Sequence, residues 1–386
     1  MHQGEVEGLL QTGDLEAAAS AVQRWLDAEP GRLLALQYQG MIHLWLGEAA
    51  AAEHSFRAAL ADAPELPRNQ ANLAIALLSQ DKYAEGLPLY EARYAGIAAH
   101  DGVQFGGLDE ARRWRGGDLS GKRLLLVREQ GLGDQIQFIR FVPALRALGA
   151  VQIIASVSTR LRVLLASAPG LDLATDEDIP ADAYDLWCPL LSVPFLLGLE
   201  GPQAPQSLPY LAAPETRLLQ WRRLIDEWVG TRPAVGISWA GSGGNAIDAR
   251  RSLTLDQVFD LVEARGNAVV LSMQMGDRGM ERIEQQCRSG IIPLLDMQRD
   301  MADAAAIVAR LDLLISVDTA TAHLAGALGR PVWLLLPAGA DWRWGGEQDS
   351  TPWYPGMRIF RQRRPGDWGE VLGRVKQALR DFLPPA

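Results

Sequence analysis

The sequence predicts an α + α/β chain in which N-terminal helical repeats precede two α/β lobes. Three observations carry this. The first 100 residues hold a 34-residue period. From residue 121, short apolar runs alternate with amphipathic stretches. A proline-rich break, "GPQAPQSLPYLAAPE", then separates two such alternating blocks.

The period is read from aligned columns. Gly13, Gly47 and Asp81 are 34 apart (47 − 13 and 81 − 47), as are Ala18, Ala52 and Gly86, and Val22, Phe56 and Tyr90. Pro30 and Pro64 close the first two units. Each unit reads as a helix pair with small residues (Ala18, Gly40, Ala52) at the close crossing and Phe56 or Tyr90 between neighbouring helices. Three units form a short curved stack whose concave face suits a protein partner or a homodimer contact; a plain spacer is the alternative.

Residues 101–120, rich in Gly and charge, read as a linker. The first lobe spans 121–213, with "KRLLLV" and "VQIIASVS" as strands. The second spans 230–386, with strands at "AVGIS", "NAVVLSMQ", "LDLLISV" and "RPVWLLL". The closing helix "DWGEVLGRVKQALRDFL" fits on either lobe.

Composition narrows the function. The 386 residues are 48% hydrophobic and 22% charged, an ordinary globular balance. The net charge of −10 argues against nucleic acid. The run Arg358, Arg361, Arg363 and Arg364 reads as a solvated face. Two cysteines and five scattered histidines offer no metal-ligand spacing, so no metal or resident cofactor is expected. With no apolar run of about 20 residues and no signal-peptide pattern, a cytoplasmic protein without transmembrane segment is expected.

Three segments carry chemistry. "LLLVREQGLGDQIQF" (124–138) is a strand, a glycine turn and a helix start. Gly131-x-Gly133-x-x-Ile136 lacks the third small residue of a dinucleotide fingerprint, and no ribose-binding acid follows. The turn does place Asp134 at the sheet's C-terminal edge, where substrates meet α/β sheets. Asp134 reads as a substrate-facing carboxylate or an N-terminal cap, and the two roles are compatible. "VGISWAGSGGNAIDARRSLTL" (235–255) is a strand and a loop ending in Arg250 and Arg251, either a phosphate-binding flap or exposed arginines. "SVDTATAHLAGALG" puts the free N–H groups of a helix beside Thr319 and Thr321, with His323 on the same face, an anion site suited to a diphosphate; an Asp cap with a histidine satisfied in the core is the alternative. The aromatic stretch 338–362 either borders a sugar or base or simply packs, and the acidic triplet at 176–178 is a coincidence of composition.

"REQGLGDQIQF", "GISWAGS", "SVDTATAHLAGALGRPVW", "DWRW" and "PWYPGMRIFRQ" resemble bacterial tetratricopeptide-repeat proteins whose C-terminal glycosyltransferase domain is similar to the heptosyltransferases. The resemblance covers nearly all of the chain. It implies a GT-B fold of two Rossmann-like lobes, the donor nucleotide-sugar bound mainly by the second and the acceptor facing the first. It implies Asp134 as general base. Asp318, Thr319, Ala320 and His323 are implied at the donor, with Arg250, Arg251, Ser242 and Gln274 beside them. Gln130, Gly131, Gly133 and Gln137 are implied on the acceptor side. Ser272-Met273-Gln274-Met275 departs from the Ser-Leu-Gln-Lys of many relatives, which removes one phosphate contact and leaves the arginines as candidates. The expected function is inverting, metal-independent sugar transfer to a hydroxyl of a protein or glycan, with the repeats recruiting partner or acceptor. The rival is a non-catalytic repeat scaffold that still holds nucleotide.

Overall fold

The computed structural model describes residues 2–94, 107–241, 246–276, 280, 282–294 and 297–383. Six helices open the chain: α1 His2–Thr12, α2 Leu15–Ala28, α3 Leu33–Leu46, α4 Ala49–Asp62, α5 Pro67–Leu78 and α6 Tyr83–Tyr90. Their arrangement is consistent with the predicted repeats. The period has a backbone cause: Gly13, Gly47 and Asp81 adopt φ of 80°, 84° and 58°, the left-handed turn that joins the two helices of each unit. A Cβ on Gly40 would sit 2.5 Å from the Phe56 ring, so the α3–α4 crossing requires the missing side chain.

Strands β1 Arg123–Val127, β2 Gln152–Ser156, β3 Leu173–Thr175 and β4 Leu186–Pro189 form the first sheet, ordered β3-β2-β1-β4. Strands β5 Ala234–Ser238, β6 Val269–Ser272, β7 Ile291–Pro293, β8 Leu313–Val317, β9 Val332–Leu336 and β10 Met357–Arg361 form the second, ordered β10-β9-β8-β5-β6-β7. Every pairing between these strands is parallel. Chain direction across the sheet reverses between β1 and β4 in the first and between β5 and β8 in the second. Crevices at such switch points, beyond the strands' C-terminal ends, are where parallel sheets bind ligands. The glycine turn follows β1, and Asp318 follows β8.

Two boundaries need correction. Residues 107–119 of the predicted linker pack on the first lobe. The Trp114 N–H donates to the Trp187 carbonyl at 2.8 Å, and Trp114 and Leu119 are buried; residues 101–106 lie outside the described residues. The helix Glu215–Val229, in the gap left between the lobes, joins the second lobe. Its Trp221 Nε1 donates at 2.9 Å to Asp303, which is fully buried and also paired with Arg217 and Arg299. The closing helix Trp368–Phe382 packs on the second sheet through Trp368, Val371, Val375 and Leu379.

The repeats are not a loosely tethered module. Leu78, Tyr83, Leu87 and Tyr90 belong to one apolar core with Phe138, Trp342 and Trp353 of the lobes. Arg93, 2% exposed, donates to both oxygens of Glu129 at 2.9 Å. Burying that pair is tolerated because both groups find multiple partners. Among the described residues no helix is long and apolar enough to cross a membrane.

Candidate active site

Glycine spacing brings the two turns together. The helix Leu132–Phe138 follows β1, and Asp134 lies in its first turn, its Oδ2 accepting the Gly131 N–H at 2.8 Å. The N-cap position itself belongs to Gly131; Asp134, the third helical residue, caps back onto the Gly131 N–H and uses only one oxygen. The helix Ala320–Ala327 follows β8, with Thr319 as N-cap making no side-chain cap of its own; Thr319 Oγ1 instead lies 3.0 Å from Ser316 Oγ. A Cβ on Gly133 would meet His323 Cδ2 at 2.7 Å. Gly133 thus serves close approach between the helices of two lobes, since its φ is not of the left-handed kind.

Between the two turns opens a cavity of about 850 Å³. Gly131, Gly133 and Asp134 line one side; Asp318, Thr319, Ala320 and His323 the other. Arg251 and Gln274 complete the second-lobe wall. A larger cavity, about 1120 Å³, lies between the repeats and the outer strands β9 and β10. Its lining includes neither Asp134 nor the Asp318–His323 segment, so chemistry rather than size selects the smaller cleft.

Asp134 is held across the lobes. Its Oδ1 accepts from Arg343 Nη2 at 2.5 Å. The same guanidinium donates to Asp341 through Nη1 at 2.9 Å and to Gln137 Oε1 through Nε at 2.8 Å. Burial pushes the Asp134 carboxyl above the usual range; Arg343 and the Gly131 N–H oppose the rise, Asp341 adds to it. Asp318 is pushed up to about 6, by burial first and by Asp341 next, against Arg251, Trp344 and Arg343. His323 is held well below its ordinary value by burial and by the nearby Arg343, Arg140 and Arg251. It is therefore neutral at pH 7, its Nδ1 sharing a 3.0 Å hydrogen bond with the Tyr354 hydroxyl.

Several expected residues lie elsewhere or are otherwise engaged. Arg250 is turned away from the cleft, its guanidinium carbon 3.4 Å above the Trp45 ring of the repeats, and burial lowers its pKa. Gln274 lines the cleft, yet its amide is engaged with backbone: Oε1 accepts from the N–H groups of Trp239 and Ala240, and Nε2 donates to the Ala240 carbonyl. Gln130 Nε2 donates to the Tyr90 hydroxyl at 2.8 Å, and Gln137 is fully buried beneath Arg343. Neither lines the cleft. Ser242 lies outside the described residues.

Sequence reasoning missed Arg343 and Asp341, although "DWRW" held both. Its aromatics pack: Trp342 meets Tyr83, Tyr90 and Phe138 at 5.9–6.5 Å, and Trp344 lies 5.1 Å from His323. The readable signal was a basic and an acidic residue fixed between buried tryptophans, which brings charge into an apolar site.

Residues 253–349 match the family described as glycosyltransferase family 9 (heptosyltransferase), in line with the resemblance carried by the motifs. Protein FlbA of Caulobacter vibrioides is 29% identical over 399 residues, covering 97% of this chain, and the chain spans 66% of that relative's length. Among solved structures, the glycosyl transferase family 9 protein of Veillonella parvula is similar at 12% identity and a TM-score of 0.49, covering 68% of this chain and 92% of its own. The E. coli ADP-heptose lps heptosyltransferase II is similar at 16% identity and a TM-score of 0.48, covering 67% and 98%. The family match supports a glycosyltransferase.

Proposed function

We propose that the protein moves a sugar from a nucleotide-sugar to an acceptor hydroxyl with inversion at the anomeric carbon. The carrying observation is that Asp134 and the Asp318–His323 segment, from different lobes, line one cleft. Asp134 takes the acceptor's proton as its oxygen bonds to the sugar carbon. The bond from that carbon to phosphate breaks, and the nucleoside diphosphate leaves with the electron pair. The N–H groups at the start of the helix Ala320–Ala327, with Arg251, receive its charge, the role a divalent metal plays in other transferases. Arg343 keeps Asp134 ionised in a buried site and fixes its orientation. His323, neutral and packed against Gly133 and Trp344, shapes the wall.

The repeats have one side occupied by the lobes. A groove between the N-terminal ends of α3 and α5, lined by Arg32, Leu34, Gln37, Leu66 and Arg68, stays open. A protein acceptor or partner docking there is the proposed role of the repeats. Arg32→Glu with Arg68→Glu should raise KM for a protein acceptor and leave free-donor hydrolysis unchanged; an unchanged KM removes this role.

The decisive experiment pairs a thermal-shift screen of ADP-, GDP-, UDP- and CMP-linked sugars with turnover assays of wild type and Asp134→Asn. A stabilising donor, turned over by wild type and bound but not turned over by the variant, is expected. Binding without turnover by either protein would favour the idle scaffold. No stabilisation by any nucleotide would remove the donor site.

A further inference from the structure

We infer that Arg160, on the first lobe, binds the donor's diphosphate across the cleft; the inference rests on the reading of that cleft as a nucleotide-sugar site. The charges lining the cleft among the described residues are three carboxylates, Asp134, Asp318 and Asp341, and three guanidinium groups, Arg160, Arg251 and Arg343. Arg343 is fully engaged with Asp134, Asp341 and Gln137. Arg251 Nε donates to Asp248 at 3.0 Å. Arg160 has no ion pair among the described residues; its contact across the cleft is Nη2 at 4.0 Å from the Met275 sulfur, a weak acceptor.

Its backbone is set in place while its head is free. Arg160 sits in the short helical turn Thr159–Leu161 just beyond β2, with Leu161 fully buried behind it. The preceding Ser158 is clamped at both N–H and hydroxyl by the side chain of Gln135, on the helix that carries Asp134. The guanidinium therefore projects from the same rigid body as the proposed base toward the wall formed by Gln274, Met275 and Gly276. A diphosphate brings more negative charge than one helix N-terminus and Arg251, itself bound to Asp248 through Nε, offset, and Arg343 already holds two carboxylates. Arg160 is the cation left to meet the second phosphate. Because it belongs to the opposite lobe, its contact ties the lobes together only when a diphosphate is present.

The test is calorimetric titration of the full chain with ADP, GDP, UDP and CDP, followed by the tightest of them and its monophosphate on variants. Arg160→Ala should weaken the diphosphate about tenfold and the monophosphate about twofold or less. Arg160→Ala with Met275→Lys should recover most of the loss, since a lysine at 275 extends its ammonium to where Arg160 now reaches. Equal losses for both nucleotides, an unchanged diphosphate affinity, or an effect confined to acceptor KM would each overturn the assignment of Arg160. Failure of wild type to bind any of the four nucleotides would instead overturn the reading of the cleft itself, and the inference with it.

Discussion

Asp134 of the first lobe and Arg343 of the second are 2.5 Å apart at their charged ends, although 209 residues separate them in the chain. Asp134, the proposed base, is thus oriented by a residue of the other lobe, the one proposed to bind the donor. The repeats reach the same point, because Trp342, next to Arg343, packs on Tyr83 and Tyr90.

Asp134→Asn keeps the Gly131 contact available through its amide oxygen and removes the base. Turnover should fall by roughly 10²–10⁴, the usual contribution of a positioned base, while nucleotide affinity changes little. Stopped-flow or coupled phosphate-release assays beside calorimetry read both quantities. Retention of full turnover would exclude Asp134 as the base.

Arg343→Lys keeps the charge and loses the fork that engages Asp134, Asp341 and Gln137 together. Arg343→Gln removes the charge as well. Burial raises the Asp134 pKa and Arg343 opposes it, so the acid limb of kcat/KM should lie above the ordinary carboxylate range in wild type. Activity is present above that limb and lost as pH falls through it. In Arg343→Gln the limb should move to higher pH, and in Arg343→Lys it should stay nearer wild type. A limb that ignores both changes would detach Arg343 from Asp134.

Asp318 is a stability liability at neutral pH. Its folded pKa, about 6, exceeds the unfolded value, so folding favours its protonated form. That advantage is complete below the unfolded value near pH 4 and disappears as pH rises through about 6. Asp318→Asn should therefore raise Tm at pH 8, by on the order of 1–3 kcal/mol of stability, and change little at pH 4. Denaturant melts at the two pH values decide it, and a uniform effect would mean the titration lies elsewhere.

Gly133→Ala sets two effects against each other. In an open helix the change stabilises by about 0.5–1 kcal/mol. Here the added methyl meets His323 at 2.7 Å, and overpacking costs about 1–3 kcal/mol. Net destabilisation and loss of turnover are expected, and shortening the neighbour with His323→Ala should restore part of the stability. A more stable, active Gly133→Ala protein would show that the lobes part freely at this point.

Deleting the repeats should not leave a working two-lobed core. Residues 2–94 supply Leu78, Tyr83, Leu87 and Tyr90 to the shared core and Arg93 to Glu129. Their removal strips cover from Trp342 and takes the guanidinium from Glu129, which keeps only the Leu191 N–H among these partners. An insoluble or molten fragment by circular dichroism is the expected outcome. A folded fragment with wild-type nucleotide affinity would make the repeats an appendage.

What the chain carried locally was legible. The left-handed turn at Gly13, Gly47 and Asp81 repeats because each helix pair needs the same corner, and parallel strands buried on both faces must be short apolar runs. The Asp318–His323 segment was readable because a helix N-terminus and its hydroxyls lie within six residues. Arg250 and Arg251 show where such reading stops. They are adjacent, and about 100° of helical rotation sends one onto Trp45 and the other into the cleft. The pairing of Asp134 with Arg343 belonged wholly to the tertiary structure. Nothing in either segment names its partner; the packing of two sheets and of the repeats on "DWRW" decides it.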